Sequence, residues 1–307
     1  MSVTAFYDVP APAKLNLFLH IVGRRADGYH LLQSVFVLLD WADTLHFELR
    51  RDGTVSRQDL GAALPPEDLC LKAARALQAA AGVKHQGVHI AIDKQVPWGA
   101  GLGGGSSDAA TTLLALNRLW GLRWPRRQLL ELATTIGADV PFFVGGHNAW
   151  VEGIGDRLTP VDLPLQDFAV LKPPQAVPTA AIFADPALVR DTKPATITSF
   201  LADPQRFGHN DLQMSACRYS AQVLQALEVI EAQYGNSRMS GSGSAVFAWA
   251  GSEGRTKERA EELSAESSKE RTRDVPAVAQ ATPGEGWVMR MCRSLPEHPL
   301  RSWVDWQ

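Results

Sequence analysis

The chain has 307 residues, 45% of them apolar and 21% charged, the balance of a soluble globular protein with length for one large or two ordinary domains. A formal net charge of −3 excludes a general electrostatic pull toward nucleic acid or anionic membrane. No 18-residue apolar run and no basic-then-apolar leader occurs, which predicts a cytoplasmic protein without a membrane span, and Cys70, Cys217 and Cys292 read as buried small hydrophobes in a reducing compartment, not as a disulfide frame or zinc site.

Residues 14–22 alternate as a strand, with Leu15, Leu17, Leu19 and Ile21 on one face and Lys14, Asn16, Phe18 and His20 on the other. Lys14 and Asn16 thus stand side by side, either on a solvated face or at the start of a site. Asp27-Gly28 signals a tight turn, and Tyr29-His30 leaves it into an apolar strand over residues 31–39. Leu45, Phe47 and Leu49 mark a separate half-buried strand. Pro65-Pro66-Glu67-Asp68 opens a helix that runs to about Ala81 and ends at Gly82, and Val88, Ile90 and Ile92 form a further strand.

That strand enters Pro97-Trp98-Gly99-Ala100-Gly101-Leu102-Gly103-Gly104-Gly105-Ser106-Ser107, in which residues 99–105 hold five glycines. Glycine loses more freedom on folding than any other residue, so such a run implies positive-φ backbone or a very close approach to something. Ser106 or Ser107 can cap the helix that follows, whose apolar stripe is Ala109, Ala110, Leu113, Leu114 and Leu116. A glycine loop feeding a helix N-terminus aims several N–H groups and the helix dipole at one point, which suits phosphate. It is not a dinucleotide fingerprint, although Gly99, Gly101 and Gly104 have the spacing. Pro97 interrupts the join, and after Asp108 no acid appears before Glu131, past the position about 20 residues on where the ribose partner belongs. No Lys-Ser or Lys-Thr pair closes the loop as in a Walker motif, and the protein-kinase signatures are absent.

Trp124-Pro125 starts another helix, which Gly137 stops. Pro141 pushes Val140 from helical dihedrals, so Asp139 is expected in a short extended link, either as a turn carboxylate or paired with a cation. The proline-rich residues 159–164 mark a boundary. Beyond it come a strand at 168–171, a loop or short helix at 177–186, an amphipathic helix that follows Asn210-Asp211-Leu212 and runs through Ile230, and a second glycine loop, Met239-Ser240-Gly241-Ser242-Gly243-Ser244, ahead of a strand at 245–250. That loop lacks the spacing of a nucleophile elbow. From 253 to 274, 13 of 22 residues are charged, leaving a helix there hardly any face to bury, so residues 253–286 are expected to be solvated or disordered. Residues 287–292 form a last strand.

Three pieces in order resemble the motifs of the GHMP small-molecule kinases: Pro12-Ala13-Lys14-Leu15-Asn16-Leu17, the loop at 97–110, and Met239-Ser240-Gly241-Ser242-Gly243. Within that superfamily, Asp27-Gly28-Tyr29-His30-Leu31 and Gly137-Ala138-Asp139-Val140-Pro141-Phe142 resemble the 4-diphosphocytidyl-2-C-methyl-D-erythritol kinases. The superfamily motifs alone do not separate such an enzyme from a homoserine or mevalonate kinase, and a non-catalytic RNA-binding protein is opposed by the charge. The resemblance implies an α+β fold. Its ATP-binding half, residues 1–160, would be like domain 2 of ribosomal protein S5, and residues 161–307 would be ferredoxin-like, with the active site between them. It also implies phosphorylation by ATP of the 2-hydroxyl of a small substrate carrying a cytidine diphosphate, with no nucleic-acid or membrane partner, in a monomer or homodimer. Lys14 and Asp139 would be the catalytic pair. Pro97, Gly99, Ala100, Gly101, Leu102, Gly103, Gly104, Gly105, Ser106 and Ser107 would bind ATP. Tyr29 and Phe183 would sandwich the cytosine and His30 would bond its polar edge, while Asn16, Thr179, Gly241, Ser242 and Gly243 would line the substrate site. Mg2+ is expected from the chemistry, with no ligand marked in the sequence.

Overall fold

Residues 5–50 form one long hairpin instead of three shorter strands. In the computed structural model, which describes residues 3–251 and 285–305, β1 runs Ala5–Arg24 and β2 runs His30–Arg50. They pair antiparallel, Ala5 against Glu48 at one end and Arg24 against His30 at the other, across a turn in which Gly28 takes φ +91°. Residues 31–39 and 45–49 are one strand because β1 pairs through the stretch between them, where Pro10, Ala11 and Pro12 face Thr44, Asp43 and Ala42. Asp43, within that stretch, is fully buried and engaged by Lys94 Nζ and by the N–H groups of Gln95 (2.6 Å) and Val96 (2.7 Å). A register shift between Asn16 and Leu19 brings Phe18 into one core with Leu15 and Leu17 and sends Leu19 and Ile21 to another. Simple alternation therefore fails after Asn16.

Next come β3 (Val55–Asp59), α1 (Leu69–Ala80), β4 (Gly87–Asp93), α2 (Gly104–Leu119), α3 (Arg126–Thr134), α4 (Val140–Gly145), β5 (Ala149–Gly153) and β6 (Arg157–Pro160). The prolines at 65 and 66 precede α1, and Asp68 caps it by accepting the Leu71 N–H at 2.9 Å. The six strands form one sheet in the order β3-β4-β2-β5-β6, with β1 also on β2. A second sheet, β10-β7-β9-β8, combines β7 (Asp167–Lys172), β8 (Arg238–Met239), β9 (Val246–Ala250) and β10 (Val288–Arg293). Its helices are α5 (Thr179–Ala184), α6 (Ile197–Ala202), α7 (Gln213–Tyr219) and α8 (Ala221–Tyr234). The single helix expected through Ile230 is two, because Ser220 turns extended (φ −140°, ψ 114°) while its hydroxyl donates to Gln175 Oε1 at 2.7 Å.

Period-2 alternation builds the layers. Phe168, Val170, Phe247 and Trp249 face Ala13, Leu15, Val35 and Val37 of the first sheet, while Ala169, Leu171, Val246 and Ala248 face α7 and α8. On the far side of the first sheet, α1 to α4 pack against Phe36, Leu38, Phe47 and Ile90. Cys70 and Cys292 are buried and Cys217 half-buried, all three as free thiols. No helix among the described residues is long and apolar enough to cross a membrane. Residues 253–284, which include the charged stretch, lie outside the described residues.

After β10 the chain returns to the first half. His298 N–H donates to Gly146 O at 3.0 Å, and the buried Arg126 guanidinium donates to the carbonyls of Val144, Arg301 and Val304. His298 is 1% exposed, and its Nδ1 accepts the Leu300 N–H at 3.1 Å. Burial, helped by the Arg126 charge, pushes its pKa down to about 3 from 6.5. A depressed folded pKa means that the unfolded chain binds the proton first. The stability it contributes is therefore complete above about pH 6.5 and is lost as pH falls toward about 3. In His298→Leu the fall in melting temperature between pH 6 and pH 4 is expected to be shallower than in the parent. Parallel slopes would remove His298 from the acid response.

Candidate active site

The glycine loop is defined by what its carbonyls do. Gly101 O accepts Lys14 Nζ at 3.0 Å and Ser240 Oγ at 2.9 Å, Leu102 O accepts the Lys14 N–H at 2.9 Å, and Ala100 O accepts the Ala245 N–H at 3.0 Å. Gly103 O accepts the Ser107 N–H at 2.9 Å. The N–H groups of residues 99–106, by contrast, donate to no acceptor among the described residues. A loop whose carbonyls are spent inward and whose N–H groups are left over, at the N-terminus of the 16-residue α2, is a cradle for an anion. Gly103, at φ +71°, is the N-cap, and no side chain caps the helix. Ser106 and Ser107, expected as caps, lie in the first turn because the loop's left-handed backbone already sets the helix entry. Ser107 Oγ is buried with no hydrogen-bond partner among the described residues. Ala100 and Leu102 are 1% exposed and turn their side chains into the core between the sheets, so they meet the cradle only through backbone. Gly99 and Trp98 are exposed at the rim, and Pro97 is half-buried.

Lys14 is 3% exposed, which rules out the solvated-face alternative. Its Nζ donates to Asn16 Oδ1, stands 3.6 Å from Asp139 Oδ2 and lies 4.7 Å above the Phe36 ring. Burial holds its pKa below the usual lysine value, and the Asp139 carboxylate offsets part of that shift. Asp139 keeps 31% of its side chain exposed, so the pair is buried on the lysine side and open on the other. Asp139 is not in an extended link. It takes helical dihedrals (φ −87°, ψ −10°) directly before α4, because a proline in the first helical turn costs no hydrogen bond. The same α4 lays Phe143 against the loop. A Cβ on Gly103 would meet both Lys14 Cγ and Phe143 Cζ at 3.0 Å, so loop, lysine and α4 touch at a point where only glycine fits.

The second glycine loop closes the site. Ser240 Oγ meets the Asn16 N–H at 3.1 Å, Asn16 Nδ2 donates to Ser34 Oγ at 3.1 Å, and a Cβ on Gly241 would lie 3.3 Å from Asn16 Oδ1. Ser242 Oγ and Thr179 Oγ1 are 2.7 Å apart, and Gly243 N–H donates to Ser240 O at 3.0 Å. Lys14, Asn16, Asp139, both loops and Thr179 are thus brought together. Of the three residues expected around the base, His30 and Phe183 are brought together, stacked at 5.0 Å between centroids and 30° between planes. Tyr29 is 62% exposed and stands outside that stack. Burial first, then the charges of Arg190 and Arg24, hold the His30 pKa below its ordinary value.

Three supporting residues escape the sequence reading. Ser240 lies within a quoted motif, but its glycine neighbours carry the recognisable pattern. Asn210, whose Nδ2 donates to Met239 O (2.7 Å) and Gly241 O (2.8 Å), sits 29 residues before the loop it holds. Arg190, which donates to His30 Nε2 at 3.1 Å, is a lone loop arginine with no local signal.

This combination of two sheets, an anion cradle at a helix N-terminus and a lysine–aspartate pair between two glycine loops defines a small-molecule kinase of the GHMP class. The GHMP kinases N terminal domain family matches residues 68–147, and the GHMP kinases C terminal family matches residues 201–269. A solved mevalonate kinase from Methanococcus jannaschii shares the fold at TM-score 0.64 and 14% identity, over 96% of this chain and 99% of that one. More specifically, the chain belongs to the 4-diphosphocytidyl-2-C-methyl-D-erythritol kinase family. It is 61% identical to the family's protein from Methylibium petroleiphilum, over 99% of this chain and 100% of the relative. It is 53% identical to that from Variovorax paradoxus, over 98% and 99%. The crystal structure of a 4-(cytidine 5'-diphospho)-2C-methyl-D-erythritol kinase aligns at TM-score 0.68 and 37% identity, over 83% of this chain and 94% of that one.

Proposed function

We propose that this chain transfers the γ-phosphoryl group of ATP to the 2-hydroxyl of 4-diphosphocytidyl-2-C-methyl-D-erythritol, in the non-mevalonate route to isoprenoid precursors. The observation that carries the reading is the Lys14–Asp139 pair, 3.6 Å apart, beside a loop whose N–H groups are unspent. Phosphoryl transfer asks mainly for positioning and for charge where charge develops. The N–H groups of residues 99–106 hold the ATP phosphates. Asp139 accepts the proton of the 2-hydroxyl as its oxygen bonds to the γ-phosphorus and the bond to the β-phosphate oxygen breaks, releasing ADP. Lys14 keeps Asp139 ionised and offsets charge on the transferring group. Asn16 and Thr179 line the alcohol, with Gly241, Ser242 and Gly243 closing over it.

Mg2+ fits these residues as part of a nucleotide complex. Among the described residues no three His, Cys, Asp or Glu side chains form a cage, and the half-buried Ser106 in the first turn of α2 is the hydroxyl donor that would hold it together with the phosphates. When bound, it neutralises charge on the β- and γ-phosphates.

Cytosine lies between Tyr29 and Phe183 with its polar edge toward His30. An ADP-release assay with the cytidine-linked alcohol, homoserine and mevalonate is expected to show turnover with the first alone; turnover with either of the others overturns the substrate. Tyr29→Ala and Phe183→Ala are each expected to raise its KM about five- to a hundredfold with kcat little changed, since stacking is worth about 1–3 kcal/mol per base. An unmoved KM in both variants removes the sandwich.

A further inference from the structure

The geometry points to Arg190 as the residue that fixes which ring nitrogen of His30 carries its proton, and so as a determinant of cytosine over uracil at this site. The inference rests on the reading that His30 meets the base. Arg190 Nε donates to His30 Nε2 at 3.1 Å. A guanidinium has only donors and does not give up its proton in proteins, so His30 Nε2 must present a lone pair. A neutral imidazole bonded in that way carries its hydrogen on Nδ1. His30 is kept neutral by its own partial burial and by the cationic neighbours Arg190 and Arg24. Nδ1 has no partner among the described residues, so its N–H remains to be given.

The clamp cannot swing away easily. The other arms of the guanidinium donate to Leu188 O (2.9 Å), Asp185 O (2.8 Å) and Phe183 O (3.2 Å), which ties Arg190 to the end of α5 that carries the aromatic wall. Downstream, the Thr192 N–H donates to Ile21 O at 3.0 Å, and Ala195 exchanges hydrogen bonds with the Gln33 side chain at 2.7 and 3.2 Å. Arg190 is therefore fastened to both strands of the hairpin whose turn precedes His30. Its own carbonyl partners make it a bridge between the His30 edge and the Phe183 face.

The consequence is chemical. Cytosine N3 is an acceptor and matches a fixed Nδ1–H, whereas uracil N3 carries a hydrogen and sets donor against donor. A free imidazole could exchange tautomers and accept from uracil. One held by Arg190 cannot do so without giving up the Arg190 bond.

The test begins with the full-length protein labelled with 15N-histidine. Long-range proton–nitrogen NMR, with His30 assigned by its loss in His30→Gln, is expected to show a protonated Nδ1 and an unprotonated Nε2; the reverse overturns the proposal. Steady-state kinetics then compare the cytidine-diphosphate alcohol with its uridine counterpart. The parent is expected to favour cytidine at least about tenfold in kcat/KM, and Arg190→Met to lower that ratio about tenfold, with the KM for ATP unchanged. A folded Arg190→Met with an unmoved ratio overturns the proposal. If that variant does not fold, the tautomer and the parent's base preference decide, and absence of either one overturns it. If the parent phosphorylates neither alcohol, the proposed function falls and takes the base assignment with it. An enzyme active on the cytidine alcohol with an unmoved ratio sinks only the role of Arg190.

Discussion

Asp139→Ala is expected to lower kcat at least about a hundredfold, within the ~10²–10⁴ that positioned proton transfer contributes, while nucleotide affinity stays close to the parent's. Nucleotide affinity holds because the cradle is backbone from residues 99–106, none of it donated by Asp139. Removing a carboxylate that is 31% exposed empties no core, so the fall in melting temperature comes from the buried Lys14 ammonium left unpaired. The rate falls for two coupled reasons. The acceptor for the hydroxyl proton is gone, and Lys14 loses the one ionised partner that offsets its burial. Its remaining acceptors, Asn16 Oδ1 and Gly101 O, are neutral. Asp139→Asn separates these effects by keeping the shape without the charge. Since burial lowers the Lys14 pKa and Asp139 raises it, the asparagine variant lowers it further. Activity that needs the ammonium is lost as pH rises through that pKa, so the alkaline limb of the residual kcat/KM profile should move to lower pH. Near-parental turnover in the alanine variant would end the base assignment, and an unmoved alkaline limb would detach Lys14 from it.

The parts of this site legible in the sequence are those in which a local pattern carries the physics. Five glycines ahead of a helix announce spent carbonyls and surplus N–H groups, and that is what residues 99–106 are. Lys14 and Asn16 share a strand face by period alone, but whether that face was wet could not be read locally. It is dry because α4 and the glycine loop cover it, contacts that come from residues 101–143. The local pattern leaves Asp139 open as a turn carboxylate or a cation's partner, and it stands 3.6 Å from Lys14. Its backbone is helical and not extended, because the bias of a residue before proline yields when the proline falls in a helix's first turn. Long-range fasteners were invisible for a different reason. Arg238, half-buried and held by the carbonyls of Leu17, Phe207 and Gly208, and Asn210 beneath the second loop are single polar residues in unremarkable segments. Their role exists only once distant backbones are side by side. The same holds for the return of residues 294–305 to the first half: a boundary near 160 describes where the sheets change, not where the chain's last contacts fall.

Gly101→Ala and Gly99→Ala should differ sharply, although both glycines have positive φ, +76° and +65°. Left-handed backbone costs a residue with a Cβ about 1–2 kcal/mol, and both variants bear that cost. At Gly99 nothing lies within 4 Å of the added carbon, so strain is the whole effect, and kcat/KM should stay within about tenfold of the parent. At Gly101 the carbon would sit 2.1 Å from Ser240 O and 3.3 Å from Gly243 N, both backbone atoms that cannot rotate away. The two glycine loops must then part. Parting them breaks the Ser240 Oγ bond to Gly101 O and the Ala245 N–H bond to Ala100 O, and it removes the carbonyl that holds Lys14 Nζ. Lys14 and the loop's surplus N–H groups are set by the same contact, so activity should fall at least about a hundredfold while melting temperature drops further than for Gly99→Ala. Steady-state kinetics and thermal denaturation of the two variants side by side decide the matter. Equal effects would mean that the cradle keeps its shape without the second loop, and that Lys14 is positioned by Asn16 and Asp139 alone.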